Sequence, residues 1–237
     1  MERIRSCPTC LALVARGYAR CFACATLGRQ LGRSLVPVTP AALAPRGGPL
    51  HRTLVAYKAA PTGFVRAEAS SRLADALGGC FSSLAHSEQV HADVVATVPS
   101  TGAGRPSWRG VHPLLAVVRR ALDLAAHDSD DLPDLLPLLE RGPGALGHLR
   151  AALDGFCVAA AGEVASRGAL VRALVVDDLY TSGARAQSAA AALRDAGLEV
   201  VAIVPIGRLV TSTDHRVPAP ERRDRRVPRG SSVSRAA

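Results

Sequence analysis

The residues best suited to chemistry lie in one short run, residues 173–185, with the sequence ALVVDDLYTSGAR. The apolar run over 171–176 has the length of a buried strand. Asp177 and Asp178 follow it, and residues 181–184 (TSGA) then lead into an alanine-rich segment. A strand, two acids and a small-residue loop before a helix together predict a ligand site at the carboxyl edge of a parallel sheet.

The loop of this run suits a phosphate monoester. It offers backbone N–H groups, the hydroxyls of Thr181 and Ser182 and the start of a helix, while Gly183 lets the backbone approach an anion closely. Adjacent carboxylates are poor partners for that phosphate, but they suit ribose hydroxyls or act through Mg2+. The run therefore predicts recognition of a sugar phosphate.

The run also allows two other interpretations. An ordinary strand–turn–helix would use Asp178 and Thr181 only as caps, and this alternative stays open. An acidic pocket of the response-regulator type would need a lysine downstream. The sequence has no lysine after Asp178, so this second alternative is set aside.

Four cysteines form a second group with chemical potential. Cys7, Cys10, Cys21 and Cys24 make two C-x2-C pairs, and four thiolates can close a tetrahedral structural zinc site. Redox thiols or a site that has lost its metal are the alternatives. The remaining Cys80 and Cys157 are expected to be buried as small apolar side chains.

The elements that must position these residues alternate between strand and helix. The pattern therefore predicts an α/β fold with a parallel sheet flanked by helices and right-handed crossovers. Strands are predicted over 52–57, 92–98, 171–176 and 199–206, with a short edge strand over 135–139. Helices are predicted over 70–84, 113–126 and 186–196, the last closed by Gly197.

The predicted organisation is a zinc-ribbon module over 1–28, a linker over 29–50, a main domain over 51–210 and a disordered basic tail over 211–237.

The net charge of +9 is concentrated at the two ends of the chain. Residues 1–50 carry seven arginines and one acid, and residues 211–237 carry seven arginines and three acids. Such ends can attract nucleic acid or can simply be solvated.

Lys58 is the only lysine, so either a specific role or an ordinary surface position is open for it. With no signal-peptide pattern in residues 1–10 and no long apolar run, we expect a cytoplasmic protein without membrane contact.

The run 173–185 resembles the motif that binds phosphoribosyl pyrophosphate (PRPP) in type I phosphoribosyltransferases. With its four-cysteine segment, the chain resembles ComF-like proteins, in which a zinc ribbon precedes such a domain. The likeness extends over roughly residues 5–208 and includes LVAYK at 54–58, Val98-Pro99-Ser100, Arg109-Gly110 and Phe156-Cys157-Val158.

This resemblance implies a type I phosphoribosyltransferase-like fold and a role for each matching residue. Asp177 and Asp178 would hold the ribose hydroxyls and, indirectly, Mg2+. The 5-phosphate would be bound by Thr181, Ser182, Gly183, Ala184 and Arg185. The pyrophosphate loop would be lined by Pro99, Ser100 and Thr101. Arg105 and Arg109 would cover the site and neutralise the departing pyrophosphate.

The implied activity is Mg2+-dependent transfer of the phosphoribosyl group from PRPP to an unidentified base or related acceptor. Trp108 and Tyr180 are candidates to stack on that base. Two further hypotheses remain: a PRPP- or nucleotide-responsive protein without turnover, and a competence-associated factor. The latter would bind single-stranded nucleic acid or a DNA-processing protein through the zinc ribbon and the basic ends.

Overall fold

Five parallel strands form the main sheet within residues 5–87, 90–99, 112–129, 132–159 and 170–211, the parts of the chain that this computed structural model describes. In order across the sheet, the strands are β3 (Ala42–Pro45), β9 (Glu199–Val210), β8 (Arg172–Tyr180), β4 (Val94–Thr97) and β5 (Asp134–Leu135). The predicted α/β fold with a parallel sheet is therefore confirmed.

Helices cover both faces of this sheet. One face packs against α1 (Phe22–Leu31) and α5 (Ala184–Asp195), and the other against α2 (Pro49–Ala59), α3 (Gly63–Ala85) and α4 (Pro113–Ala125). Successive side chains of a strand point to opposite faces. Ala173 and Val175 of β8 accordingly join the α1/α5 core, whereas Leu174 and Val176 join the core of the other three helices. Burial on both faces explains why the strand is almost entirely apolar.

Two small antiparallel pairs accompany the main sheet. Strands β1 (Arg5–Ser6) and β2 (Leu13–Val14) lie in the cysteine segment. Strands β6 (Leu139–Arg141) and β7 (Phe156–Val158) form a second pair, which contacts α5. The predicted edge strand over 135–139 is thus divided: Leu135 belongs to β5 at the sheet edge, and Leu139 to β6.

The prediction of a strand over 52–57 is wrong, because these residues lie inside α2. The apolar run there resembles a short strand, but Pro49 occupies the first turn of the helix, where its missing N–H is not needed. Leu54 and Tyr57, three residues apart, are the side chains that α2 buries. The predicted helices are confirmed, and the one predicted over 70–84 begins earlier, at Gly63.

Residues 29–50, predicted as a linker, contribute to the main sheet instead. Strand β3 pairs with the end of β9, and Pro45 is tolerated there because β3 is an edge strand. Nearby, the buried Gln187 of α5 accepts from the Val36 N–H at 2.9 Å and donates to its carbonyl at 2.8 Å. The segment is therefore fixed along the sheet edge.

The two isolated cysteines differ from expectation. Cys157 is exposed at the β6–β7 pair, so its predicted burial is wrong. Cys80 is half-buried beside the α3–α4 core, and burial raises the pKa of its thiol to about 11. Of the tail predicted over 211–237, residues 212–237 lie outside the described residues. Within those residues, no helix has the length and apolar character needed to cross a membrane.

Candidate functional site

The candidate site lies where the connections of the sheet diverge. From β4 the chain passes to β5 on one side, whereas from β8 it passes to β9 on the other. In open α/β sheets, ligands bind in the crevice at the carboxyl ends of two such strands. A cavity of about 470 Å³ is found there, and residues 177–185 form one wall of it.

Two other elements complete the described lining of this cavity. Helix α2 contributes Leu54, Val55, Lys58 and Ala59, and the loop between β6 and β7 contributes Leu146, Gly147 and His148. The loop is fixed in place because Ser188 of α5 accepts from the Ala152 N–H at 3.0 Å. No local pattern predicts a role for these loop residues, because only the fold brings them to the cavity.

The amino end of α5 forms the part of the cavity that is best suited to an anion. Gly183 precedes the helix with a φ of 87°, and the first turn carries no acidic residue. Ser182 is buried, and its hydroxyl oxygen lies 3.5 Å from the Ala184 nitrogen as a hydrogen-bond acceptor. A helix amino terminus with unused N–H groups favours negative charge, so this end suits a phosphate.

Gly183 cannot be replaced by a larger residue without a local change. Its φ lies in the left-handed region, and a β-carbon there would come within 2.0 Å of the Tyr180 hydroxyl. Tyr180 is itself buried under the loop, and burial raises the pKa of its phenol well above the usual value. Its predicted role as a base-stacking aromatic therefore does not fit its position, because the ring supports the loop from beneath.

Asp177 and Asp178 are both buried and both line the cavity. They lie inside β8, which continues to Tyr180, and not after its end as predicted. Burial raises the pKa of Asp177, while the nearby Arg185 and Lys58 act in the opposite direction. The Asp178 N–H donates to Asp177 Oδ1 at 2.9 Å, so the backbone holds that carboxyl group in place.

Positive charge surrounds these acids. Lys58 forms an ion pair with Asp178. Arg185 donates through Nη2 to the Pro99 carbonyl at 2.5 Å, which joins the loop after β8 to the end of β4. His112 lies near both cations: its burial and then their charges lower the pKa of its imidazole. This surrounding charge favours an anionic ligand.

The structure brings together eight of the sequence-predicted site residues: Pro99, Asp177, Asp178, Thr181, Ser182, Gly183, Ala184 and Arg185. Ser100, Thr101, Arg105 and Arg109 lie outside the described residues, as does Trp108. Lys58, the only lysine and the last residue of the LVAYK segment, also lines the cavity. Tyr57 and His112 were not expected near the site.

The four cysteines converge as predicted. Their sulfur atoms all lie within 4.8 Å of one another, and all four residues are buried. A tetrahedral zinc ion with bonds of about 2.3 Å would hold its sulfurs roughly 3.8 Å apart, so the cluster fits such an ion. Hydrogen bonds among the four thiols, first of all those with Cys10, lower the pKa of Cys7 and Cys21 and raise that of Cys24, while the bond with Cys21 raises the pKa of Cys10. A bound metal requires all four as thiolates.

The cysteine cluster is joined to the main sheet. The Thr9 carbonyl accepts from the Val38 N–H at 2.8 Å, and the buried Arg208 of β9 donates through Nε to the Cys10 carbonyl at 2.5 Å. The cysteines also belong to the core that contains Tyr180 and Ala184. The cluster and the loop after β8 therefore belong to the same packed unit.

Comparison with known proteins adds no assignment. The chain matches no model of a known protein family, and a search of curated proteins finds no match either.

We expect metal analysis of the purified chain to find about one zinc per molecule, because the four thiolates fill every position of a tetrahedral ion. Cys21→Ser should lose this metal and lower the melting temperature, since the cluster is part of the core. Cys157→Ser is the control, because its exposed thiol lies outside the cluster. Equal zinc content in the two variants would contradict the assignment.

Gly183→Ala should destabilise the chain by more than Gly197→Ala. Both glycines have a φ near 90°, but a β-carbon on Gly197 meets nothing within 4 Å. The control should therefore lose only the roughly 1–2 kcal/mol of left-handed strain, whereas Gly183→Ala adds the collision with Tyr180. Urea unfolding measures both values, and an equal loss would show that Tyr180 does not restrict this position.

Proposed function

We propose that this chain binds PRPP in the cavity at the carboxyl ends of β4 and β8 and transfers its phosphoribosyl group to an acceptor base. One observation carries the proposal: the acidic pair of β8 and the amino end of α5 line the same cavity. Ribose hydroxyls and a phosphate are the two groups that such neighbours recognise. They are joined in a 5-phosphoribosyl ligand.

The ligand would lie with its 5-phosphate at residues 181–185. Gly183 allows close approach of the backbone, and the helix dipole of α5 favours the negative charge. Asp177, deeper along β8, would accept hydrogen bonds from the ribose. Asp178, whose Oδ2 contacts Tyr57 and Lys58, would have only Oδ1 left for a further hydrogen bond. Pro99, at the end of β4 and bonded to Arg185, would then lie on the pyrophosphate side.

The chemistry is a displacement at the anomeric carbon. The bond from C1 to the pyrophosphate oxygen breaks, and its electron pair leaves with pyrophosphate. A bond forms between C1 and a nitrogen of the acceptor, whose proton passes to solvent. The transition state has oxocarbenium character, so these residues would act by positioning the reactants and by stabilising charge. No nucleophilic side chain is required.

Magnesium would enter this site mainly with the ligand. Mg2+ prefers oxygen ligands and keeps several of its waters, and when bound to pyrophosphate it neutralises the leaving group. Both carboxylate oxygens of Asp178 already accept hydrogen bonds or an ion pair within the protein. Direct coordination by Asp178 therefore does not fit its present contacts.

The likeness to ComF-like proteins supports the same proposal. Four buried cysteines lie beside a parallel sheet that carries the PRPP-type run. The zinc-compatible cluster is what distinguishes this combination from phosphoribosyltransferases in general.

Titration with PRPP and Mg2+ tests the proposal by calorimetry. We expect measurable heat for the unmodified chain and at least a tenfold weaker affinity for Asp177→Asn, since hydrogen bonds to a charged group contribute about 1.5–3 kcal/mol. Asp75→Asn, an exposed acid of α3, is the matched control. Absence of heat with the unmodified chain would overturn PRPP binding. Pyrophosphate release with a panel of purines and pyrimidines then separates an enzyme from a binding protein.

A second candidate function, binding of single-stranded nucleic acid, is favoured by exposed side chains of the cysteine segment. Tyr18 and Phe22 are 67% and 72% exposed, and the exposed Arg16 and Arg20 lie between and beside them in sequence. Aromatic rings that stack on bases, next to arginines that contact phosphates, are typical of such surfaces.

We expect Tyr18→Ala combined with Phe22→Ala to weaken binding of a single-stranded oligonucleotide by at least tenfold, because each stacked base contributes about 1–3 kcal/mol. The salt dependence should change little, since the arginines remain. Phe64→Ala is the control, as Phe64 is 78% exposed on α3. The same affinity for both variants, measured by fluorescence anisotropy, would contradict this function.

A further inference from the structure

Lys58 and Tyr57 contact the same carboxylate oxygen of Asp178. The Tyr57 hydroxyl donates to Asp178 Oδ2, and the Lys58 ammonium forms an ion pair with the same oxygen. The other oxygen, Oδ1, accepts from the Leu179 N–H at 2.7 Å. Helix α2 thus delivers two consecutive side chains to a carboxylate that is buried in β8.

The charge of this arrangement is suited to an anionic ligand. A phosphate bound at the amino end of α5 would meet two carboxyl groups along the same wall of the cavity. The negative charges of the phosphate and of ionised carboxylates repel each other, which opposes binding unless the carboxylates are neutralised. The Lys58 ammonium neutralises Asp178, and the side chain is only 19% exposed, so solvent screens the pair weakly.

A divalent cation would ordinarily perform the same task on a carboxylate beside a phosphate. The ammonium of lysine is a compact point charge with three donors, which makes it the closest replacement that a side chain can offer. The chain has 29 basic residues and only Lys58 is a lysine. The single ammonium therefore lies at the position where a small, strongly localised cation is most useful.

We propose that Lys58 is the built-in cation of this site, so that the ribose 5-phosphate half of a ligand binds without any divalent metal. This inference rests on the proposed function and narrows it: Mg2+ would be required only for the pyrophosphate half of PRPP. Lys58 is a positioning residue, because it acts through Asp178. Tyr57 assists it by occupying the remaining side of the same oxygen.

A first experiment needs no ligand. Because Lys58 is the only lysine, acetylation by acetic anhydride, followed by peptide mass spectrometry, reports on this one side chain. We expect Asp178→Asn to increase the acetylation rate at least fivefold, and Asp177→Asn to change it less than twofold. Excess Mg2+ should leave the rate in the unmodified chain unchanged. Equal rates in the two variants, or faster acetylation with Mg2+, would overturn the proposal.

A second experiment measures the affinity for ribose 5-phosphate by calorimetry, with EDTA or with Mg2+. The unmodified chain should bind equally well in both, within twofold. Lys58→Met should bind about tenfold more weakly in EDTA and regain most of that affinity with Mg2+, which a merely structural role would not produce. Arg52→Met removes a charge from the same helix outside the cavity and should behave like the unmodified chain.

The outcomes separate the inference from the proposed function. If the unmodified chain binds ribose 5-phosphate only with Mg2+, or if Lys58→Met is unaffected in EDTA, the inference is overturned while the proposed function stands. If ribose 5-phosphate and PRPP both fail to bind in every condition, the proposed function fails. The acetylation rates then decide alone whether Lys58 holds Asp178.

Discussion

The pairing of β8 between β4 and β9 is the constraint on which the rest of the structure depends. As an inner strand of the sheet, β8 is buried on both faces, and this burial carries Asp177 and Asp178 into the interior with it. Buried carboxyl groups must find partners, because desolvation of a charge is costly. The partners of these two carboxyl groups are Lys58, Tyr57 and backbone N–H groups. Because Lys58 and Tyr57 belong to α2, these contacts hold that helix beside the acidic pair.

The loop after β8 is held from beneath by the same strand. Tyr180, the last residue of β8, occupies the space under Gly183, and the cysteine cluster lies in the same core. Arg208, opposite Tyr180 on β9, reaches the Cys10 carbonyl. An anion-binding loop needs fixed N–H groups, since a donor that must be ordered on binding loses affinity to entropy. The cysteine segment thus contributes rigidity where a phosphate would be bound.

Two cations on opposite sides of the acidic pair give the cavity its electrostatic character. Lys58 approaches from α2 and contacts Asp178, while Arg185 approaches from α5 and contacts the end of β4. Lys58 neutralises the Asp178 carboxylate. Arg185 connects the loop after β8 to the Pro99 carbonyl across the crevice. The two proposed tasks, recognition of a sugar phosphate and neutralisation of its acidic neighbours, would therefore be performed by different elements of the fold.

The sequence by itself determined the features that are local in the chain. Residues 173–185 indicated the strand, the acids and the loop, because strand and helix signals are set by nearby residues. The two C-x2-C pairs indicated the cysteine cluster. The tertiary structure decided what depends on distant residues. Residues 52–57 became a helix because Leu54 and Tyr57 pack on the sheet, and residues 42–45 became an edge strand because β9 offers them free backbone groups. The ion pair of Lys58 with Asp178 joins residues 120 positions apart, and no local pattern encodes such a contact.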